Sequence, residues 1–151
     1  MTDILRPLPG ILAAAQPSLA QLVSLAREGV RTVINLRAPN EQVDFDEARE
    51  AKSLGLRYVS IPIAGPQDVG PETAARFSRE LEDARSAGDV LVHCASANRA
   101  GAMLALDQGL TRNQPVAEAL AIGRAGGLTT LEPKIAEILG QQTDLDPGST
   151  S

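Results

Sequence analysis

Short apolar runs alternate along the chain with segments in which apolar residues recur at helical spacing. Residues 31–36, 57–63 and 90–92 are rich in β-branched residues and predict strands, and 11–15 is a candidate first strand. The helical segments are 18–29, 44–54, 71–87, 99–108, 115–124 and 131–139. Strands that alternate with helices of this length pair in parallel through right-handed crossovers. The pattern therefore predicts an α/β fold with a mostly parallel central sheet of four to five strands, flanked by helices.

The chain length fits one domain. The chain has 151 residues, and residues 1–140 carry the periodic pattern, so we expect them to form a single domain. Residues 141–151 are polar and contain Gly and Ser, which predicts a flexible tail.

Composition and charge narrow the possible partners. Apolar residues make up 43% of the chain and aromatic residues 2%, so the core must consist of Leu, Ile, Val and Ala. The net charge of −5 disfavours nucleic acid, because a phosphate backbone requires a basic face. One cysteine excludes an internal disulfide and a cysteine-cluster metal site, and no apolar run approaches the ~20 residues of a membrane helix. We therefore expect a cytoplasmic protein that uses no metal or cofactor and binds neither nucleic acid nor membrane.

Residues that could take part in catalysis or ligand binding follow three of the predicted strands. Arg37, the segment 62–68 and the segment 93–99 each come directly after one of these strands. Because ligands bind beyond the carboxyl ends of parallel strands, we expect the three segments to meet at one edge of the sheet.

The segment from His93 to Arg99 has the features of an anion-binding loop. The small residues between Cys94 and Arg99 allow backbone amides to turn inward, and the helix that follows adds its positive end. The Arg99 guanidinium suits bidentate contact with phosphate or sulfate, and it favours a nucleophilic thiolate at Cys94. His93 is expected to orient the loop. Singly, Cys94 could be a buried hydrophobe, Arg99 a solvated helix start and His93 a core histidine, but their combination after a buried strand favours the loop.

These residues resemble the H-C-x5-R loop of the cysteine-based phosphatase superfamily, although the spacing here is C-x4-R. The shorter loop is more similar to that of the bacterial beta-lactamase hydrolase-like phosphatase family, and the resemblance spans about residues 5–140. The matching segments are Gln16-Pro17-Ser18, Val33-Ile34-Asn35-Leu36-Arg37, Glu41, Tyr58-Val59-Ser60-Ile61-Pro62 and His93-Cys94-Ala95-Ser96 with Asn98-Arg99. The resemblance implies a dual-specificity-phosphatase-like fold, with Cys94 as nucleophile and Arg99 as phosphate-binding residue.

The resemblance also implies a general acid in the loop before the catalytic strand, where Asp68 is the candidate. The sequence before Pro71 is equally an ordinary turn and helix entry, so a structural role for Asp68 stays open. The predicted substrate-binding residues are His93, Ala95, Ser96, Ala97, Asn98 and Arg37. Arg37 could line the pocket with Glu41, or it could pair with the acidic segment 44–47, whose glutamates would then form a solvated helix start.

Three features depart from the superfamily pattern. The loop is one residue shorter, Ala97 stands where Gly is common and where a positive φ is needed, and Ala100 replaces a Ser or Thr that stabilises the departing thiolate. Together they predict a slow or specialised enzyme, or an inactive binding relative.

Three functions are compatible with these residues. The first is a phosphatase that forms a cysteinyl-phosphate on a phosphorylated protein or a small phosphoester. The second is a rhodanese-like sulfurtransferase with a Cys94 persulfide, although the strand end Asn35-Leu36-Arg37 lacks the usual rhodanese pattern. The third is a weakly catalytic or non-catalytic module that binds phosphate or another anion.

Overall fold

The structure is a computed structural model that describes residues 2–41 and 43–145, the side chains of 142–145 excepted. Five strands form one sheet in the order β1-β2-β5-β3-β4. The strands are β1 (Ile4–Leu8), β2 (Ile11–Ala14), β3 (Val30–Asn35), β4 (Arg57–Ser60) and β5 (Asp89–His93). All neighbouring pairs are parallel except β1 and β2, which are antiparallel. The predicted α/β fold with a mostly parallel sheet is confirmed, and β1 is a strand that the hydrophobic pattern did not reveal.

Six α-helices connect and cover these strands. They are α1 (Leu19–Glu28), α2 (Glu47–Ser53), α3 (Pro71–Arg85), α4 (Asn98–Leu106), α5 (Val116–Ala125) and α6 (Glu132–Leu145). Local sequence explains their beginnings: Ser18 forms a capping box with Gln21 before α1, Asp46 caps α2 through the Arg49 N–H, and Pro71 occupies the first turn of α3. A π-helical turn over Asp107–Thr111 extends α4.

The hydrophobic core lies on both faces of the sheet. The larger cluster joins the sheet to α3, α4, α5 and α6, with Phe77, Leu81, Met103 and Leu104 fully buried in it. The smaller cluster joins the opposite face to α1 and α2 through residues such as Leu22. Because both faces are covered, the three central residues of β5, Val90, Leu91 and Val92, are apolar and buried.

The C-terminal helix is longer than the sequence suggests. The predicted domain boundary at residue 140 falls inside α6, which continues to Leu145. The rest of the predicted tail, 146–151, lies outside the described residues. No described helix combines the length and apolar character that a membrane span requires.

Candidate active site

The four parallel strands end in register at one edge of the sheet. Ala14 and Asn35 both pair with His93, and Asn35 also pairs with Ser60. The chain continues this alignment beyond the strands, since Leu36 donates a backbone hydrogen bond to the His93 carbonyl at 2.9 Å. The segments after β3, β4 and β5 therefore emerge side by side, as the strand pattern predicted.

Residues 94–99, which we call the anion loop, connect β5 to α4. Cys94 is fully buried, whereas Ala95 and Ser96 are exposed. Ala97 has φ 73° and ψ −17°, so the positive φ expected at this position is present. A Cβ on Gly127 would lie 2.5 Å from the Ala97 Cβ, so glycine at 127 makes room for the Ala97 side chain. The left-handed residue turns the chain sharply into the N-terminus of α4.

Arg99 is held in place by Glu41 and by the backbone after β4. Its Nη1 donates to Glu41 Oε2 at 2.7 Å and to the Ile63 carbonyl at 2.6 Å, and its Nη2 donates to Glu41 Oε1 at 2.6 Å. The pKa of Arg99 is raised, first by the Glu41 hydrogen bonds and further by the charge and hydrogen bond of Cys94. Three of the five N–H groups of Arg99 are used by Glu41 and Ile63, which leaves two for a bound anion.

Glu41 is the carboxylate that orients Arg99. Its Oε2 also accepts a hydrogen bond from the Ala38 N–H at 2.7 Å, which fixes the turn after β3. The hydrogen bond from Arg99 is the main reason why the pKa of Glu41 falls to about 2. The sequence analysis paired Glu41 with Arg37 as a pocket-lining residue and did not foresee its contact with Arg99.

The predicted substrate-binding residue Asn98 directs its side chain away from the anion loop. Its Oδ1 accepts hydrogen bonds from the Thr129 and Leu131 N–H groups at 2.8 and 3.3 Å, and its Nδ2 donates to Thr130 Oγ1 at 2.8 Å. The Asn98 side chain therefore fixes the connection between α5 and α6. For Asn98 this leaves the backbone N–H at the start of α4 as the candidate anion contact.

His93 is fully buried and paired with Glu47. Its Nε2 lies 2.5 Å from Glu47 Oε2, and its Nδ1 lies 3.4 Å from the Cys94 carbonyl oxygen. Glu47 Oε1 accepts a hydrogen bond from Gln16 Nε2 at 2.7 Å. The His93 side chain is enclosed by protein and orients the strand end, so a direct contact with substrate is limited to its backbone.

Arg37 is also buried, with its Nη2 at 3.5 Å from Glu47 Oε1. Its Nη1 donates to the Glu41 carbonyl at 2.9 Å, and its Nε has no hydrogen-bond partner among the described residues. Of the two interpretations of Arg37, the observed contacts match pairing with the acidic segment 44–47. The glutamate in that segment is not a solvated helix start, because Glu47 is 3% exposed.

Asp68 ends a short 3-10 turn, Pro66–Asp68, in the loop after β4. Its Oδ2 accepts a hydrogen bond from the Ala64 N–H at 2.9 Å. Since Ala64 follows Ile63, whose carbonyl binds Arg99, the loop that holds Asp68 is tied to the anion loop. Asp68 Oδ1 accepts no hydrogen bond from any residue that the structure describes.

Glu47 and Gln16 are the site residues whose roles the sequence analysis did not predict. Glu47 shares a face of α2 with the buried Ala51, one helical turn further on, and this spacing is the signal that it points into the protein. In the described part of the chain no cluster of three or more His, Cys, Asp or Glu side chains could hold a metal ion.

The solved structures that are similar to this one include phosphatases. The crystal structure of Tk-PTP in the active form has a TM-score of 0.74 at 20% identity, over 92% of this chain and 97% of that chain. P. aeruginosa TpbA has a TM-score of 0.72 at 22% identity, over 93% and 84% of the two chains. PTPMT1 has a TM-score of 0.70 at 19% identity, over 94% and 97%. At these identities the likeness establishes the fold alone.

Curated relatives are similar in sequence. A beta-lactamase hydrolase-like protein of Xylella fastidiosa (strain Temecula1) is 33% identical over 118 residues, which cover 76% of this chain and 27% of that protein. Its counterpart from Agrobacterium fabrum is 30% identical over 101 residues, covering 64% and 23%. The chain thus spans about a quarter of the length of the curated relatives it matches. The family described as "Beta-lactamase hydrolase-like protein, phosphatase-like domain" matches residues 5–111, and the chain belongs to this family, which confirms the resemblance seen in the sequence.

Proposed function

We propose that this chain is a cysteine-dependent phosphatase that hydrolyses a phosphomonoester through a cysteinyl-phosphate intermediate. The observation that carries the proposal is the anion loop itself, which leaves Cys94 buried at the end of β5, turns at Ala97 and places Arg99 in the first turn of α4 with its guanidinium fixed by Glu41 and the Ile63 carbonyl. The loop combines a candidate nucleophile with a group suited to hold the anion that it attacks.

Substrate binding uses the anion loop and the unused donors of Arg99. The loop amides and the N-terminus of α4 supply partial positive charge, and the two remaining N–H groups of Arg99 can contact two phosphoryl oxygens. Because Glu41 and the Ile63 carbonyl fix the guanidinium before substrate arrives, little ordering is needed on binding. The proposed substrate is a phosphorylated protein or a small phosphoester, and phosphate or sulfate should bind in the same loop.

In the first step the Cys94 thiolate attacks phosphorus. The S–P bond forms while the bond from phosphorus to the leaving oxygen breaks, and Asp68 gives its proton to that oxygen. In the second step water attacks the phosphorus of the cysteinyl-phosphate and returns a proton to Asp68. The S–P bond then breaks, and inorganic phosphate and the Cys94 thiolate are released.

The second step lacks one aid that related enzymes have. Ala100 is fully buried in the first turn of α4, where the superfamily places a hydroxyl next to the departing thiolate. Without that hydroxyl the thiolate is a poorer leaving group, so we expect slow breakdown of the cysteinyl-phosphate and a burst of product before steady turnover.

Para-nitrophenyl phosphate and a phosphotyrosine peptide are suitable first substrates, since a cysteine-to-serine variant of TpbA has been crystallised with pTyr. We expect phosphate release that Cys94→Ser reduces by at least about 10³-fold. Turnover that persists in Cys94→Ser would refute the proposal. A parallel assay with thiosulfate and cyanide tests the sulfurtransferase alternative, for which thiocyanate formation without phosphate release is the deciding result.

A further inference from the structure

The first half of the anion loop is held by the chain that follows β2. The Cys94 N–H donates to the Ala14 carbonyl at 3.4 Å, and the Gln16 N–H donates to the Ala95 carbonyl at 3.3 Å. These backbone hydrogen bonds fix where the loop leaves β5. The second half of the loop, residues 97–99, contacts a different part of the chain.

Residues 127–131, which we call the α5–α6 connector, pack against this second half. A Cβ on Gly127 would lie 2.5 Å from the Ala97 Cβ and 3.0 Å from the Ala97 carbonyl oxygen. A Cβ on Gly101, in the first turn of α4, would lie 2.3 Å from the Leu128 nitrogen. Because both residues are glycine, the connector approaches the start of α4 more closely than a larger residue would allow.

Asn98 fastens the connector to the anion loop. Its Oδ1 accepts hydrogen bonds from the Thr129 and Leu131 N–H groups at 2.8 and 3.3 Å, and its Nδ2 donates to Thr130 Oγ1 at 2.8 Å. Three consecutive residues of the connector are thus bound to one side chain, whose own backbone N–H is a candidate contact of the anion. A displacement of the connector would therefore displace the loop amides next to Asn98.

The conformation of the loop at Ala97 depends on support of this kind. Ala97 has φ 73°, in the left-handed region that residues with a Cβ rarely adopt. A residue stays in this region only where the surrounding structure holds it there. Without the hydrogen bonds of Asn98, the chain can relax to a negative φ at Ala97 and turn the following N–H groups away from an anion.

We propose that Asn98 is a positioning residue for anion binding: by holding the α5–α6 connector against α4, it keeps Ala97 left-handed and the anion loop in the form that binds a phosphoryl group. The proposal rests on the proposed phosphatase function in that the loop must bind an oxyanion. It adds a segment that no local sequence signal connects with the loop, since Asn98 and Thr130 are 32 positions apart.

The affinity for inorganic sulfate tests this role. Asn98→Ala removes all three hydrogen bonds, and Gln114→Ala is the matched control, since it truncates an exposed amide beyond the π-helical turn at the other end of α4. By isothermal titration calorimetry we expect the dissociation constant for sulfate to rise about tenfold in Asn98→Ala. In Gln114→Ala it should stay within about twofold of the wild type.

The same titration separates positioning from a purely structural role. If Asn98 only stabilised the fold, Asn98→Ala would lower the midpoint of urea denaturation, but the folded variant would bind sulfate within twofold of the wild type. That result would overturn the proposal. Circular dichroism shows whether each variant is folded under the conditions of the titration.

A second measurement uses the full-length wild-type protein alone and decides the question if Asn98→Ala does not fold. If the connector stabilises the binding form of the loop, a bound anion must stabilise the connector to the same degree. Hydrogen exchange of the Thr129 and Leu131 N–H groups should slow by at least about threefold in sulfate relative to sodium chloride of equal ionic strength. The Leu22 N–H, which bonds the Ser18 carbonyl in α1 on the opposite face of the sheet, should slow less. Unchanged exchange in the connector, or equal slowing at Leu22, would contradict the coupling.

Neither measurement depends on turnover, so the two proposals fail separately. A protein whose sulfate affinity depends on Asn98 but that releases no phosphate from a phosphoester would contradict the phosphatase function and retain the role of Asn98. A protein that hydrolyses a phosphoester through Cys94, and whose Asn98→Ala variant binds sulfate as the wild type does, would contradict the role of Asn98 alone.

Discussion

Two glutamates contact nitrogen-bearing side chains at the carboxyl edge of the sheet, one near the surface and one in the interior. In the outer pair, Arg99 and Glu41 have side chains that are 14% and 28% exposed. In the inner pair, His93 and Glu47 have side chains that are 0% and 2% exposed. Both pairs join a glutamate oxygen to a side-chain nitrogen at 2.6 or 2.5 Å, so solvent access, not contact geometry, distinguishes them.

This difference separates two tasks of a phosphate-binding site. The outer cation must meet an anion that enters and leaves, so it needs donors that Glu41 does not occupy and a route to solvent. The inner side chain, His93, needs neither, and its enclosure excludes salt and water from its contact with Glu47. We infer that the outer pair determines how substrate is held, whereas the inner pair fixes the end of β5 from which the anion loop begins.

Truncating the two glutamates should give very different losses of stability. Glu47→Ala leaves His93 and Arg37 buried without their carboxylate, which should lower the free energy of unfolding by about 3–5 kcal/mol. Glu41→Ala should lower it by less than about 1 kcal/mol, because water can solvate the freed Arg99. Urea denaturation at pH 7 measures both values. Equal losses in the two variants would mean that enclosure does not distinguish the pairs.

Replacing Arg99 with lysine tests the outer pair through activity. Lysine keeps the charge but cannot contact Glu41 and a phosphoryl group with one planar fork, so kcat/KM should fall by about 10²-fold. Arg124→Lys is a matched control, since Arg124 contacts Glu132 through Nε and Nη2 at 2.7 and 2.8 Å, away from the site. The control should stay within about twofold of the wild type. An Arg99→Lys protein as active as the control would show that the fork is not used.

Much of the fold could be predicted because local and long-range signals agree. The central strands β3 and β5 carry β-branched residues buried on both faces, and residues such as Ser18 and Pro71 lie where helices begin. β1 was missed because Pro7 and the exposed Arg6 interrupt an already short apolar run at the sheet edge. Edge strands need less apolar surface than central ones, so their sequence signal is weak.

The site was predictable only in part. Cys94 and Arg99 lie in the same six-residue loop, so the types and spacing of neighbouring residues were enough to predict it. Glu41 reaches Arg99 across 58 positions and Glu47 reaches His93 across 46, so no local pattern connects them. Such pairs depend on strand register and on where each loop leaves the sheet, which a single sequence does not specify. The roles of Asp68 and Arg37 stay predictions.

The contribution of the outer glutamate, Glu41, to stability can be measured separately through its dependence on pH. The folded pKa of Glu41 is about 2, below its usual 4.5, so the unfolded chain binds more protons between these values. The contribution of Glu41 is therefore complete above about pH 4.5 and is lost as the pH falls towards 2. We expect Glu41→Gln to lose less stability than the wild type between pH 5 and pH 3, by up to about 1 kcal/mol. The free energy of unfolding of both proteins is measured by urea denaturation at each pH. An equal decrease in the two proteins would contradict this expectation.

The smallest expected effect concerns the anion loop that leads from the inner pair to the outer one. Ala97 has φ 73°, a conformation that costs a residue with a Cβ about 1–2 kcal/mol and costs glycine nothing. Ala97→Gly removes this strain but makes the unfolded chain more flexible, so we expect a net gain of about 0.5 kcal/mol in the free energy of unfolding. Ala48→Gly, on the exposed face of α2, should instead lose about 0.5–1 kcal/mol. Opposite signs for the two substitutions would show that strain is stored in the loop between the two charge pairs, and a loss in both would show that contacts of the Ala97 side chain with Gly127 outweigh it.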